Sequence, residues 1–186
     1  MIAFVDESMR QSDDGLYVVA AAVVVGDESG RVREALRDVL LSGQVRFHWH
    51  DERPERRLAM LKVVSSQITA GLAVFHRSRG HASQERARAQ CLKRLLWHLG
   101  QHGVSDLTME SRGAPDDARD RRTIIAAQQS QIASKNLRYG FARAREEPLL
   151  WLPDALAGAV SRHLAGEGSE YYRLVEHTMV ELEQAL

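Results

Sequence analysis

Ten consecutive apolar residues, Leu16 to Val25, set the tightest limit on what this chain can fold into. The run is rich in valine, whose branched side chain favours extended backbone. Acidic, glycine-containing segments bound it, Ser12-Asp13-Asp14-Gly15 before and Gly26-Asp27 after. A strand wetted on one face alternates apolar and polar residues, so a run without alternation is expected to be covered on both faces. At about half the ~20 residues of a membrane span, it does not predict a membrane protein. Ile2 to Asp6 is a second apolar run, ending in charge. The two read as antiparallel strands joined by a nine-residue loop.

The remaining pattern alternates helix and strand. Ser29 to Leu41 is amphipathic, with Val32, Ala35, Leu36, Val39 and Leu40 on one side. Phe47-His48-Trp49-His50 reads as extended. Pro54 suits the first turn of a helix whose stripe is Leu58, Leu61, Val64 and Ile68. Gly71 to Phe75 is a third strand, and Ser83 is placed to cap a basic helix ending near Leu99. Leu107 to Glu110 is a fourth strand, Pro115 opens a helix to about Ser134, and Asn136 to Ala142 is a fifth strand. Pro153 begins a helix to about Leu164, and Tyr171 to Ala185 reads as a last helix, packed on this domain or on a second copy in a homodimer. The expectation is one α/β domain over residues 1–186, a mixed sheet of about five strands flanked by helices.

Charge narrows the partners. With 25 basic and 25 acidic side chains the formal net charge is zero, which excludes a uniformly basic coat. From His76 to Arg145, however, 14 Lys/Arg face 6 Asp/Glu, whereas Glu146 to Leu186 holds 2 against 8. A local basic face for nucleic acid and a solvated mixture of charges both fit this distribution. The single cysteine, Cys91, excludes an intramolecular disulfide or a multi-cysteine zinc site and reads as a packing residue. The N-terminus enters Ile2-Ala3-Phe4-Val5 without a basic leader, which gives a cytoplasmic expectation.

The chemistry-bearing pattern is an acid at the end of an apolar element, found three times: Asp6, Glu110 after Leu107-Thr108-Met109, and Asp154 in an Ala/Leu-rich helix. Hard divalent ions such as Mg²⁺ take oxygen ligands, so a metal-dependent phosphodiester hydrolase must gather carboxylates on rigid supports. Each acid also has a local reading: Asp6 opening the loop, Glu110 pairing with Arg112, Asp154 favouring a helix N-terminus. Glu7 would join Asp6 as a catalytic residue only if the strand has already broken, since neighbouring strand residues face opposite ways. Ser8 reads as a turn former. His48 and His50 would share a face, as surface histidines or, if functional, in metal ligation, phosphate contact or proton transfer. Arg112, Arg119, Arg138 and Arg143 are candidates to cradle a nucleic-acid backbone.

The motif Ile2-Ala3-Phe4-Val5-Asp6-Glu7-Ser8, followed by a strongly apolar strand, resembles the opening of the DUF3800 family, a group related to ribonuclease H. Pro148-Leu149-Leu150-Trp151-Leu152-Pro153-Asp154-Ala155-Leu156-Ala157-Gly158-Ala159 is similar to that family's C-terminal signature, and Met109-Glu110-Ser111-Arg112 stands in order for its intervening acidic strand. Met9 and Pro153 stand where the family commonly has glycine and alanine. The resemblance implies an RNase H-like fold with Asp6 as central, metal-bridging carboxylate and Glu110 and Asp154 completing a site for Mg²⁺ or Mn²⁺. The expected activity is hydrolysis of RNA, RNA–DNA hybrid or DNA. The alternative is an inactive module of the same fold that binds nucleic acid or a protein in a phage-defence or mobile-element system. An ATP-using relative is disfavoured by the lack of a Walker-type loop.

Overall fold

The computed structural model describes residues 1–9, 15–77 and 84–185. Ser83, the expected cap, and Ser12, Asp13 and Asp14 of the hairpin loop lie outside the described residues. Strands β1 (Ile2–Met9) and β2 (Leu16–Val24) pair antiparallel, from Ile2 opposite Val24 to Met9 opposite Tyr17. β3 (Ala70–Arg77) lies antiparallel on the other side of β2. β4 (Asp106–Glu110) runs parallel to β1, and β5 (Arg138–Ala142) parallel to β4.

A sixth strand, β6 (Met179–Gln184), pairs parallel with β3 and gives the order β5-β4-β1-β2-β3-β6. This corrects the expected helix from Tyr171 to Ala185. Helix α6 (Ser169–Val175) is short, a tight turn covers Glu176–Thr178, and the chain then extends. The free edge of β3 accounts for the difference: it offers a backbone ladder that a helix would forgo, extended by the Ala185 N–H donating to the Phe75 carbonyl at 2.7 Å. The new strand places Glu181 and Glu183 against His98, whose Nε2 lies 2.6 Å from Glu183 Oε2.

The helices before α6 are α1 (Ser29–Asp38), α2 (Pro54–Gln67), α3 (Gln84–Gln101), α4 (Ala114–Gln129) and α5 (Trp151–Leu164). Pro54 opens α2 as its spacing predicts. α4 stops short of Ser134 because Gln131 turns left-handed at φ 61°, and the amides of Ile132 and Ala133 fold back onto the Ala127 carbonyl. The 47–50 segment is extended only to His48, and Trp49–Asp51 is a tight turn.

All nine residues of β2 are buried, because alternate side chains feed two cores. Phe4, Val18, Ala20 and Ala22 pack with α1, α2, α5 and α6. Ala3, Val5, Val19, Ala21 and Val23 pack with α3 and α4, where Cys91 is fully buried and its thiol is pushed up to about 12 by that burial. α5 is buried continuously from Trp151 to Ser161, its alanines allowing close approach to the alanines of β2. Among the described residues no helix is long and apolar enough to cross a membrane.

Candidate active site

Asp6 and Glu110 are brought side by side by the parallel pairing of β1 with β4. The register sets Val5 beside Met109, so the next pair is Asp6 and Glu110, near the strands' C-terminal ends. Alternation decides which way they point. Val5 and Met109 enter the α3/α4 core, so Asp6 and Glu110 face the α5 side. Asp154 in the first turn of α5 meets them there. Asp6 and Glu110 are half-buried, and Asp154 is buried. The Asp154 Oδ2 accepts the Trp49 N–H at 2.8 Å, and the Asp6 Oδ1 accepts the Glu7 N–H at 2.7 Å.

The three acids load the recess with negative charge. Burial, then the charges of Asp154 and Glu110, and a hydrogen bond with Glu110 hold the Asp6 carboxyl well above its ordinary range. Arg88 acts weakly in the other direction. The crowding of the three acids thus favours the neutral form of the Asp6 carboxyl. Asp154 is pushed up to about 6, chiefly by burial, against the opposing pull of the Trp49 amide, His48 and Arg46.

Trp49 reaches Asp154 because of a glycine. A Cβ on Gly158, one turn along α5, would fall inside the Trp49 indole. Tyr171 meets the same ring edge-on at 5.3 Å, and the Arg57 guanidinium lies 5.1 Å from its centroid. Gly158→Ala should therefore lower stability by about 1–3 kcal/mol through overpacking and displace the amide that orients Asp154. Thermal denaturation with near-ultraviolet circular dichroism checks this. An unchanged melting temperature and spectrum would show that the indole is not confined there.

The other candidates separate. Glu7 remains in strand, since β1 continues to Met9, and so lies on the opposite face from Asp6. There it pairs with the buried Arg88, which also binds Asp120 through two nitrogens at 2.8 and 2.6 Å and the Tyr17 hydroxyl at 2.6 Å. Its expected place beside Asp6 is thus corrected by strand alternation. Ser8 is a buried strand residue rather than a turn former. Arg112 lies in the same rear network, near Glu7, Glu85 and Asp120, rather than beside Glu110 as a free phosphate contact. Arg119 pairs with Asp116 on α4, and Arg138 grips Asp106 at the other end of β4 at 2.6 and 2.8 Å. Arg143 is exposed just after β5, next to Ala142, the partner of Glu110. His48 stands beside Asp154 and bonds Asp51 at 3.0 Å. His50 is exposed, its ring 5.8 Å from that of His48.

Sequence reasoning missed Arg46. Its signal was present: in Arg46-Phe47-His48-Trp49 the two aromatics are the buried members, at 1% and 2% exposure, so Arg46 shares the outward face of His48.

No protein-family model matches the chain and no curated protein matches it in sequence. Solved structures do match. The ribonuclease H2 of Pyrococcus horikoshii OT3 superposes with a TM-score of 0.61 at 14% identity, over 92% of this chain and 76% of that one. RNase HII from the Archaeoglobus fulgidus PCNA:RNase HII complex gives 0.54 at 16% identity, over 95% and 76%. A point mutant of Bst-RNase HIII gives 0.56 at 12% identity, over 94% and 55%. The fold is RNase H-like, as the resemblance implied.

Proposed function

We propose that the recess of Asp6, Glu110 and Asp154 is the active site of a divalent-metal-dependent nuclease. The observation that carries this reading is the meeting of three acids from distant parts of the chain in one half-buried recess, on a fold of RNase H type. The donor set is all oxygen, as Mg²⁺ or Mn²⁺ requires, and its mutual repulsion is what a cation would relieve. As it stands, no group of three or more His, Cys, Asp or Glu among the described residues is arranged to hold a metal ion. Loading would therefore require the acids to reorient around the ion.

When bound, divalent ions supply a nucleophile at neutral pH and countercharge for the departing alkoxide. Asp6, whose carboxyl feels both other acids, would hold the ions together with Glu110 and Asp154. The Trp49 amide fixes one Asp154 oxygen. His48, beside Asp154, is placed to contact a phosphate or carry a proton. RNA, RNA–DNA hybrid and DNA are all admissible substrates, and the likeness to RNase H enzymes favours RNA or hybrid by analogy of fold.

The test is incubation of the purified protein with labelled RNA, hybrid and DNA in Mg²⁺, in Mn²⁺ and in EDTA. Cleavage with either metal that EDTA abolishes is expected. Binding of nucleic acid without cleavage under every condition would overturn the nuclease reading in favour of a non-hydrolytic module.

A further inference from the structure

The loop joining α1 to α2 has no regular structure before the turn at Trp49–Asp51, yet it is fastened along its length. Near its start, Arg56 of α2 donates to the Val39 carbonyl at 2.5 Å, the Gln44 Oε1 at 3.0 Å and the Glu52 carboxylate at 3.2 Å. Gln44 in turn donates to Glu52 at 2.5 Å and accepts the Leu41 N–H at 3.1 Å. Further along, Phe47 and Trp49 are sunk in the core, and Arg57 Nε holds the Trp49 carbonyl at 2.9 Å. The loop is a braced strap.

What the strap presents is decided by alternation. With Phe47 and Trp49 buried and the Trp49 amide on Asp154, Arg46 and His48 are the half-buried members of the strap that lie near Asp154. Both lie near enough to draw the Asp154 carboxyl downward. His48 is engaged with Asp51, but among the described residues none forms an ion pair or hydrogen bond with the Arg46 guanidinium. Half-buried arginines usually find a carboxylate, and three stand close by. A cation carried beside an acidic site on a braced backbone, with no carboxylate bonded to it among the described residues, is arranged for an anion that arrives from outside. In a site for phosphodiesters that anion is a backbone phosphate, which the planar guanidinium binds through two N–H groups.

We propose that Arg46 is a phosphate-binding residue of this protein, gripping the nucleic-acid backbone beside the phosphodiester presented to Asp6, Glu110 and Asp154. The assignment rests on the nuclease reading for the position of the scissile bond. Its own content is a single backbone contact, which is measurable without turnover.

The experiment measures binding of short RNA–DNA hybrid, RNA and DNA duplexes by fluorescence anisotropy in EDTA, from about 50 to about 200 mM salt. Wild type, Arg46→Gln and Arg46→Lys are compared, with thermal melts showing that all three fold. Arg46→Gln should weaken binding about tenfold at the low-salt end and flatten the plot of log affinity against log salt by about 0.9, one phosphate contact. Arg46→Lys should retain the wild-type slope, because it keeps the charge. A purely structural role would change stability and leave the slope alone. An Arg46→Gln slope and affinity equal to wild type would overturn the proposal, as would failure of wild type to bind any of the three duplexes. Duplex binding with the expected change of slope but no cleavage in Mg²⁺ or Mn²⁺ would sink the nuclease reading and leave the phosphate contact standing.

Discussion

Asp6→Asn should abolish metal-dependent cleavage while making the metal-free protein more stable. The loss, about a thousandfold or more, follows from removing the central member of the acidic set, on which counterion and nucleophile both depend. The gain in stability follows from the same crowding. Asparagine keeps the acceptor that takes the Glu7 N–H at 2.7 Å and brings an N–H₂ able to donate to Glu110, which a carboxylate cannot do. It also removes a negative charge that the fold holds beside Asp154 and Glu110.

The pH dependence has a definite sign. Asp6 and Asp154 both have carboxyls raised in the folded state, Asp154 to about 6. Between the ordinary carboxylate range and about 6 the native state therefore holds more protons than the unfolded chain. Wild-type stability without metal falls as pH rises through that window and stays reduced above it. Asp6→Asn should melt higher than wild type at neutral pH, with the gap closing as acid protonates the wild-type pair. Melting curves at a series of pH values in EDTA, with cleavage assays in Mg²⁺, check both halves. A variant that cleaves at the wild-type rate, or melts identically at neutral and acidic pH, would show that Asp6 is neither central nor strained.

Arg88→Met should cost about 3–5 kcal/mol, the range for breaking a buried ion pair from one side. That is a large share of the roughly 5–15 kcal/mol that holds a domain together. Arg88 is 3% exposed and meets Asp120, Tyr17 and Glu7 behind the sheet. Methionine fills much of the volume but leaves the buried Asp120 carboxylate without its two-point partner. Arg112, 3.6 Å from both Asp120 and Glu7, compensates only in part. Adding Asp120→Asn to Arg88→Met should recover part of the loss, since it removes the stranded charge. Urea denaturation of both variants measures this. Equal midpoints for wild type and Arg88→Met would show that the network contributes nothing to stability.

Much of the architecture was legible in the chain. The unbroken Leu16–Val25 run announced a strand covered on both sides, and β2 is buried at every position. Acids next to apolar runs singled out Asp6, Glu110 and Asp154, although β1 runs on past Asp6 to Met9 instead of ending there. β6 was not legible. Residues 179–184 have too little apolar periodicity of their own, and only the open edge of β3 and the presence of His98 make them a strand. The arginines were misplaced for a related reason. Composition counts cations but does not say that Arg112 and Arg138 have carboxylates waiting for them.

By itself, then, the amino-acid order determined the strand and helix sequence up to α5 and the doubly covered sheet, and it singled out three acids that the fold then brings together. These depend on local periodicity and on the cost of burying charge, both of which act within a few residues. Tertiary structure alone decided that Arg88 meets Glu7 behind the sheet, that Gly158 admits Trp49 to Asp154, and that Arg46, unpaired among the described residues, stands near Asp154. Each depends on partners tens of residues away, and pair geometry across such separations is set by packing rather than by any pattern along the chain.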